Sequence, residues 1–199
     1  MIYPTGIKNL IESFKNLPGI GDKTAERLTF ALVNFDKSLL TDFANAIIDV
    51  RDNISRCEVC NNLCEGTVCN ICSSDNRDND VIFVVENAKD IILFEKIGIY
   101  NGLYHVLDGL ISPLDGINPE DININSLIER VKNNKIKEII LALKPSVEGE
   151  TTMQYIKKIL ESYNVKISRI ASGIPLGAEM EYIDSMTLEI ALEDRINIS

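Results

Sequence analysis

"EIILALKPSVEGE", residues 138–150, runs six mostly apolar residues into a turn that holds two carboxylates, Glu148 and Glu150. The run is short, which suits a buried strand. Two acids on a loop after such a strand are what a magnesium ion needs, because that ion takes one or two carboxylates and completes its shell with waters and phosphates. Lys144 stands at the mouth of the same turn. Its ammonium would compete with a cation for those carboxylates. The stretch therefore poses a choice between a metal-dependent enzyme and a related fold that has lost its metal.

On either side of it, "VIFVVE" (81–86) and "VKISRIA" (165–171) are further short runs rich in Val and Ile. Helical patterns at 89–97, 126–134 and 150–163 separate them. This alternation predicts an α/β region, a mainly parallel sheet with crossover helices. The N-terminal part reads differently. In "IKNLIESFKN" (7–16), Ile7, Leu10, Ile11 and Phe14 fall at helical spacing, and residues 23–34 and 39–51 repeat that period. The tail "YIDSMTLEIALEDRI" (182–196) predicts one amphipathic helix, and the polar "SSDNRDND" (73–80) marks a boundary before the α/β part.

The composition, 199 residues and 45% hydrophobic, allows a sizeable core in one medium domain or two small ones. No apolar stretch approaches a membrane span, and the N-terminus lacks a charged leader followed by an apolar block, so a cytoplasmic protein with no membrane contact is expected. The net charge of -10 argues against a diffuse basic groove for nucleic acid. Only residues 1–56 are balanced, with 7 basic and 7 acidic side chains. A DNA contact should begin there and rely on backbone amides as well as cations.

"NLPGIGDKTAERL" (16–28) supplies such a place. Pro18 stops one helix, Gly19 and Gly21 around Ile20 permit a tight turn, and Asp22 is positioned to cap the next helix. Successive N–H groups at that helix start form an anion seat, while Lys23 and Arg27, four apart, can reach neighbouring phosphates from one face. A nucleotide phosphate loop does not fit, because Asp22 and Leu17 occupy positions where that motif needs glycine. The pattern resembles the helix-hairpin-helix motif, which binds DNA backbone without reading sequence. An ordinary helical connection would carry much of the same punctuation.

All five cysteines lie in "CEVCNNLCEGTVCNIC" (57–72). Cys57-x2-Cys60 and Cys69-x2-Cys72 form two knuckles able to close a tetrahedron around one structural zinc. Four protein ligands leave no open position for catalysis. In a segment with few apolar side chains, the metal supplies folding free energy on the order of 10 kcal/mol that a core cannot. Cys64 is the odd thiol, expected to be free or partly buried.

A glycine hairpin, a four-cysteine module and an α/β segment in this order, with "GLYHVLDGLISPLDGI" (102–117), "PSVEGETT" (145–152) and "RIASGIPLGAEMEYIDSMTL" (169–188), resemble the RecR family of bacterial recombination mediators over essentially the whole chain. The resemblance implies a helix-hairpin-helix region at 1–53, a zinc module at 54–78, a Toprim-like domain at 79–175 and a C-terminal assembly segment at 176–199. It further implies recombinational DNA repair with RecO and RecF proteins, loading of recombinase onto single-stranded DNA, no catalytic turnover, and homo-oligomers, dimers or ring-like tetramers, assembled through both chain ends. Catalytic Toprim proteins carry an acid after the first strand and an Asp-x-Asp pair after a later one. Here Glu86 matches the first, but Lys144 and Ser146 stand where the pair would be, with Glu148 and Glu150 just beyond. The fold is expected to be retained and the metal centre lost, leaving Glu86, Glu148 and Glu150 for weak magnesium or partner contact, or as acids that merely favour helix starts. The alternative is a magnesium-dependent nuclease, primase or topoisomerase. His105, in an apolar setting, is expected in a core or interface, and Asp108 replaces the glycine more usual in the family.

Overall fold

The computed structural model describes residues 3–133, 135–171 and 173–195. The ends of the helical stretch expected to reach 134, of the tail helix expected to reach 196, and of the segment 176–199 lie outside them. The chain divides into a unit ending at Ile54 and a unit beginning at Ser55. Among the described residues no helix is long and apolar enough to cross a membrane.

In the first unit the helical period gives α1 (Thr5–Lys15), α2 (Asp22–Val33) and α3 (Lys37–Asn53). Ala25 and Thr29 of α2 are fully buried, small enough for α1 to lie close. Leu17 to Ile20 close a turn through an Ile20 N–H to Leu17 carbonyl bond of 3.2 Å. Pro18 fixes its second position, and Gly19, at φ 79°, takes the left-handed backbone that its third requires. Asp36 caps α3 by accepting from the Leu39 N–H.

From the boundary residue Ile54 onward a two-stranded sheet, β1 (Ile54–Arg56) and β2 (Leu63–Glu65), forms in the cysteine module. Beyond it come β3 (Asp78–Val85), α4 (Ala88–Ile97), β4 (Gly102–Val106), α5 (Ile124–Asn133), β5 (Glu138–Ala142), α6 (Val147–Leu160), β6 (Lys166–Arg169) and α7 (Ser185–Glu193). Strands β4-β3-β5-β6 form one sheet, parallel at every pairing. From Val81 to Val85 strand β3 is apolar without alternation because both of its faces are covered there. Ile82 and Val84 join Leu127 and Val131 of α5 and Met153, Ile156 and Leu160 of α6 in one core cluster. Phe83 and Val85 turn the other way, to Ala88 and Ile91 of α4. The result is three layers, helix on sheet on helices.

Strand β4 was not among the strands expected from the sequence. All five of its residues are buried, including His105. The parallel arrangement brings Glu86, Leu107, Leu143 and Ile170 to the carboxyl ends of β3, β4, β5 and β6, where open α/β sheets present their ligand sites.

Gly149, in the first turn of α6, lets that helix settle on the turn before it: a Cβ there would collide with the Lys144 carbonyl oxygen. Gly149→Ala should therefore cost about 1–3 kcal/mol, even though alanine is the better helix former by about 1 kcal/mol. Urea unfolding would show this as a lower midpoint at unchanged slope. A raised midpoint would mean the contact is slack.

Candidate functional sites: a hairpin, a sulfur cluster and a Toprim-type cleft

The turn at Gly19–Gly21 delivers the chain into α2 with Gly21 as N-cap and no side chain capping the end. The first helical bond runs from Ala25 N–H to the Gly21 carbonyl, so the amides before it belong to the outward-facing helix start. Asp22 is not the cap expected from the sequence. It occupies the first helical position and pairs with Lys15 of α1 at 2.8 Å, because glycine already supplies the extended backbone a cap needs. That pair holds the Asp22 carboxyl below the usual aspartate range and raises the Lys15 ammonium. Ile20 is half-buried, and Lys23 and Arg27 are exposed one turn apart on α2.

The sulfur atoms of Cys57, Cys60, Cys69 and Cys72 all lie within 4.8 Å of one another. Four thiolates at about 2.3 Å from a tetrahedral zinc would have neighbouring sulfurs nearly 4 Å apart, and Cys60 and Cys69 are 3.6 Å apart. The donor set fits zinc. Burial pushes the Cys57 thiol up, but N–H groups of Cys69, Cys60 and Val59 reverse that and bring it to about 7. Cys60 is pushed upward, first by its bond to Cys72 and then by burial. A bound cation would offset the repulsion among thiolates gathered this closely. Cys64 packs beside them but is outside this group, its thiol donating to the Gly66 carbonyl at 3.2 Å. Among the described residues, these four cysteines form the one group of three or more metal-ligating side chains close enough to share an ion.

The module sits on the edge of β4. Val106 N–H donates to the Cys60 carbonyl at 2.9 Å, and the Asn61 amide donates to the Val106 carbonyl at 3.3 Å. Arg56 of β1 donates from one nitrogen to both oxygens of Asp108, at 2.7 Å each. Asp108 has φ 62°.

At the carboxyl end of the sheet, Glu86 and Lys144 border a cleft of about 440 Å³ with Asp90, Phe94 and Ile170. The Lys144 ammonium is 3.8 Å from Glu86. Glu148 and Glu150 lie in the first turn of α6 and not on the preceding loop, because Ser146 caps the helix. The Ser146 hydroxyl accepts from Gly149 N–H at 3.2 Å and donates to Glu148 at 2.7 Å. That bond, with Lys144 nearby, holds the Glu148 carboxyl below the usual range. Glu150 pairs with Arg169 at 3.0 Å, and Arg169 in turn with Asp194 beside α7. Each of the three acids thus has its own partner, and they are not gathered in a shared metal-ligating group. Lys144 engages Glu86 more directly than the two acids beside it in sequence.

Arg56, Arg130 and Arg169 are functional side chains that carry no signal in the sequence. Each finds its partners across long stretches of chain, and nothing in the local pattern signals them. His105 is fully buried in β4 as a core residue.

Comparison with known proteins matches residues 7–51 to the family model of the RecR helix-hairpin-helix, residues 54–74 to that of the RecR four-cysteine zinc finger domain, residues 80–171 to that of the Toprim domain and residues 173–196 to that of the RecR C-terminal region. A relative named Recombination protein RecR from Lactobacillus helveticus is 47% identical over 196 residues, covering 98% of each chain. A protein of the same name from Staphylococcus aureus is 48% identical over 195 residues, again covering 98% of each.

If Cys57, Cys60, Cys69 and Cys72 are the ligand set, elemental analysis should find one zinc per chain. Cys57→Ser with Cys60→Ser should lose it, and Cys64→Ser should keep it.

Proposed function

The chain belongs to the RecR family of recombination proteins, and on that premise we propose that it is a non-catalytic, sequence-independent DNA-binding mediator of recombinational repair. The observation that carries the non-catalytic part is the Lys144 ammonium 3.8 Å from Glu86. A catalytic magnesium would need that space and that carboxylate, and it would have to displace a cation already there.

In this reading Gly19, Ile20, Gly21, Lys23 and Arg27 take DNA phosphates. The exposed cations and the helix N-terminus support contacts to backbone, which position a protein without reading bases. Cys57, Cys60, Cys69 and Cys72 hold a structural zinc, which supplies folding free energy to the module. Glu86, Glu148 and Glu150 serve partner contact or weak magnesium contact. The proposed partners are RecO and RecF proteins and further copies of this chain, in the cytoplasm. Assembly is supported by α3, which leaves Phe43, Ile47 and Val50 exposed at 46%, 60% and 65% along one helical stripe. Several weak hairpin sites on one oligomer would gain avidity without any new contact. The rival reading is a magnesium-dependent Toprim enzyme. It draws on the cleft where Glu86 meets the sheet's carboxyl end.

Lys23→Glu with Arg27→Glu should weaken binding to unrelated single strands to a similar degree. Each lost phosphate contact should remove about 0.7 from the slope of log affinity against log salt. Unchanged affinity and slope in an assembled protein would place the DNA site elsewhere.

The purified protein should show no magnesium-dependent cleavage, joining or synthesis of nucleic acid. Lys144→Asp with Ser146→Asp adds two anions and removes one cation, while aspartate at 146 still caps α6. Calorimetry on the folded variant should show tighter magnesium binding. Turnover by the unmodified protein that disappears with Glu86→Gln would overturn the mediator reading in favour of the enzyme.

A further inference from the structure

Arg130, on α5, is 8% exposed. Its Nη1 donates to the Tyr104 carbonyl at 2.7 Å and to His105 Nδ1 at 3.2 Å. A guanidinium can only donate, so Nδ1 accepts and the histidine proton sits on Nε2, which donates to the Asn123 carbonyl at 2.8 Å. His105 is therefore neutral. Burial first, with Arg130 adding to it and the Asn123 carbonyl opposing, holds its pKa down to about 3. The full positive charge of this network stays on Arg130, which shares α5 with the core residues Leu127 and Val131. Burying an ion there is costly unless an opposite charge lies close.

The strand that Arg130 grips is the one on which the cysteine module docks. Tyr104, His105 and Val106 are consecutive in β4, and Val106 N–H is bonded to the carbonyl of Cys60, itself one of the four cysteines. Ile71, from between the two cysteines of the second knuckle, packs against the four-cysteine cluster and against the cores on both faces of the sheet. Burial pushes the Arg130 pKa down, and the groups that pull it back are Cys72, Cys60, Cys57 and Cys69, in that order. Four thiolates around one divalent zinc leave a centre with net negative charge.

We propose that Arg130 is the buried counter-ion of the four-cysteine centre, a positioning residue that stabilises the thiolate ligand set from the same free edge of β4, where it bonds Tyr104 two residues before the Val106–Cys60 bond, and links metal occupancy to the packing of α5. The proposal rests on these cysteines holding zinc, as proposed above. Arginine suits the position because its weakly hydrated, planar cation tolerates burial and can bond a carbonyl, an imidazole and a third group at once. Groups behind the ligands of a metal site tune it in this way, and their loss commonly costs about 10- to 100-fold in metal affinity.

The test compares zinc-loaded full-length protein with Arg130→Met, which keeps the stem and removes the charge, and Arg130→Lys, which keeps the charge. Zinc release to a chromophoric chelator should be about 10- to 100-fold faster in the methionine variant, and lysine should restore much of the difference. With cobalt in place of zinc, the thiolate-to-metal absorption should shift in the methionine variant and move less in the lysine variant. Wild-type release from a folded methionine variant, or equally fast release from both variants, would overturn the proposal. If the methionine variant does not fold, hydrogen exchange on unmodified protein decides: zinc removal should deprotect Leu127–Lys132 of α5, and deprotection confined to 54–74 would overturn it. Absence of stoichiometric zinc from unmodified protein overturns the zinc reading together with this one, whereas stoichiometric zinc with unaltered release overturns this one alone.

Discussion

Four sulfur atoms drawn within 4.8 Å of one another hold more of this molecule in place than their own short segment. The core of that segment consists of the cysteines themselves, with Ile71 as the apolar residue beside them. A stretch with so little to bury cannot offset its backbone entropy by apolar contact alone. Its shape therefore depends on the closure of the sulfurs. Strand β4, in turn, is the edge of the parallel sheet on that side, and an open edge presents unpaired N–H and carbonyl groups. The Cys60 carbonyl and the Asn61 amide take up both polar groups of Val106. The module thus covers that edge at Val106, and the sheet gives the module a surface to fold against.

Asp108 shows how finely this junction is balanced. Its left-handed backbone, φ 62°, is a conformation that glycine takes without strain, which accounts physically for the glycine expected at this position from the family resemblance. Aspartate tolerates it better than most side chains. The residual strain is on the order of 1 kcal/mol. In exchange the carboxylate receives both of its bonds from Arg56. With both side chains about two-fifths exposed, that pair contributes at most about 1 kcal/mol. Strain and ion pair are therefore of similar size, and the effect of Asp108 is directional: it ties β1 of the module to the loop after β4.

The cleft at the other end of the same strands obeys a different electrostatic rule. A metal-dependent site leaves its carboxylates short of positive charge, so that the ion completes them. Here the positive charge is built in, by Lys144 at Glu86 and Arg169 at Glu150, with the Ser146 hydroxyl at Glu148. Arg169 also reaches Asp194 past α7, so Glu150 is bound up with the C-terminal part of the unit and not with the cleft. The scaffold that gathers strand ends is intact, while the acids have been turned toward separate neighbours.

What was legible in the sequence was what depends on local period. The helices and strands β3, β5 and β6 announce themselves by spacing, and the cysteine pairs by their fixed intervals. Strand β4 did not, because five residues containing a glycine and a histidine carry little periodicity, and a buried histidine looks polar until its partners are known. Those partners, Arg130 and Asn123, come from 25 and 18 residues away, and Arg56 finds Asp108 across 52. The register of a parallel sheet brings such residues together, and no window of sequence contains both members. The boundary at α6 failed for a related reason: Gly149 and two acids read as a turn, but Ser146 caps a helix there and Gly149 lets it approach the Lys144 carbonyl. Local rules thus supplied the elements and the metal-ligating spacing, while the charges that decide what each site can do are set by pairs that only the completed sheet creates.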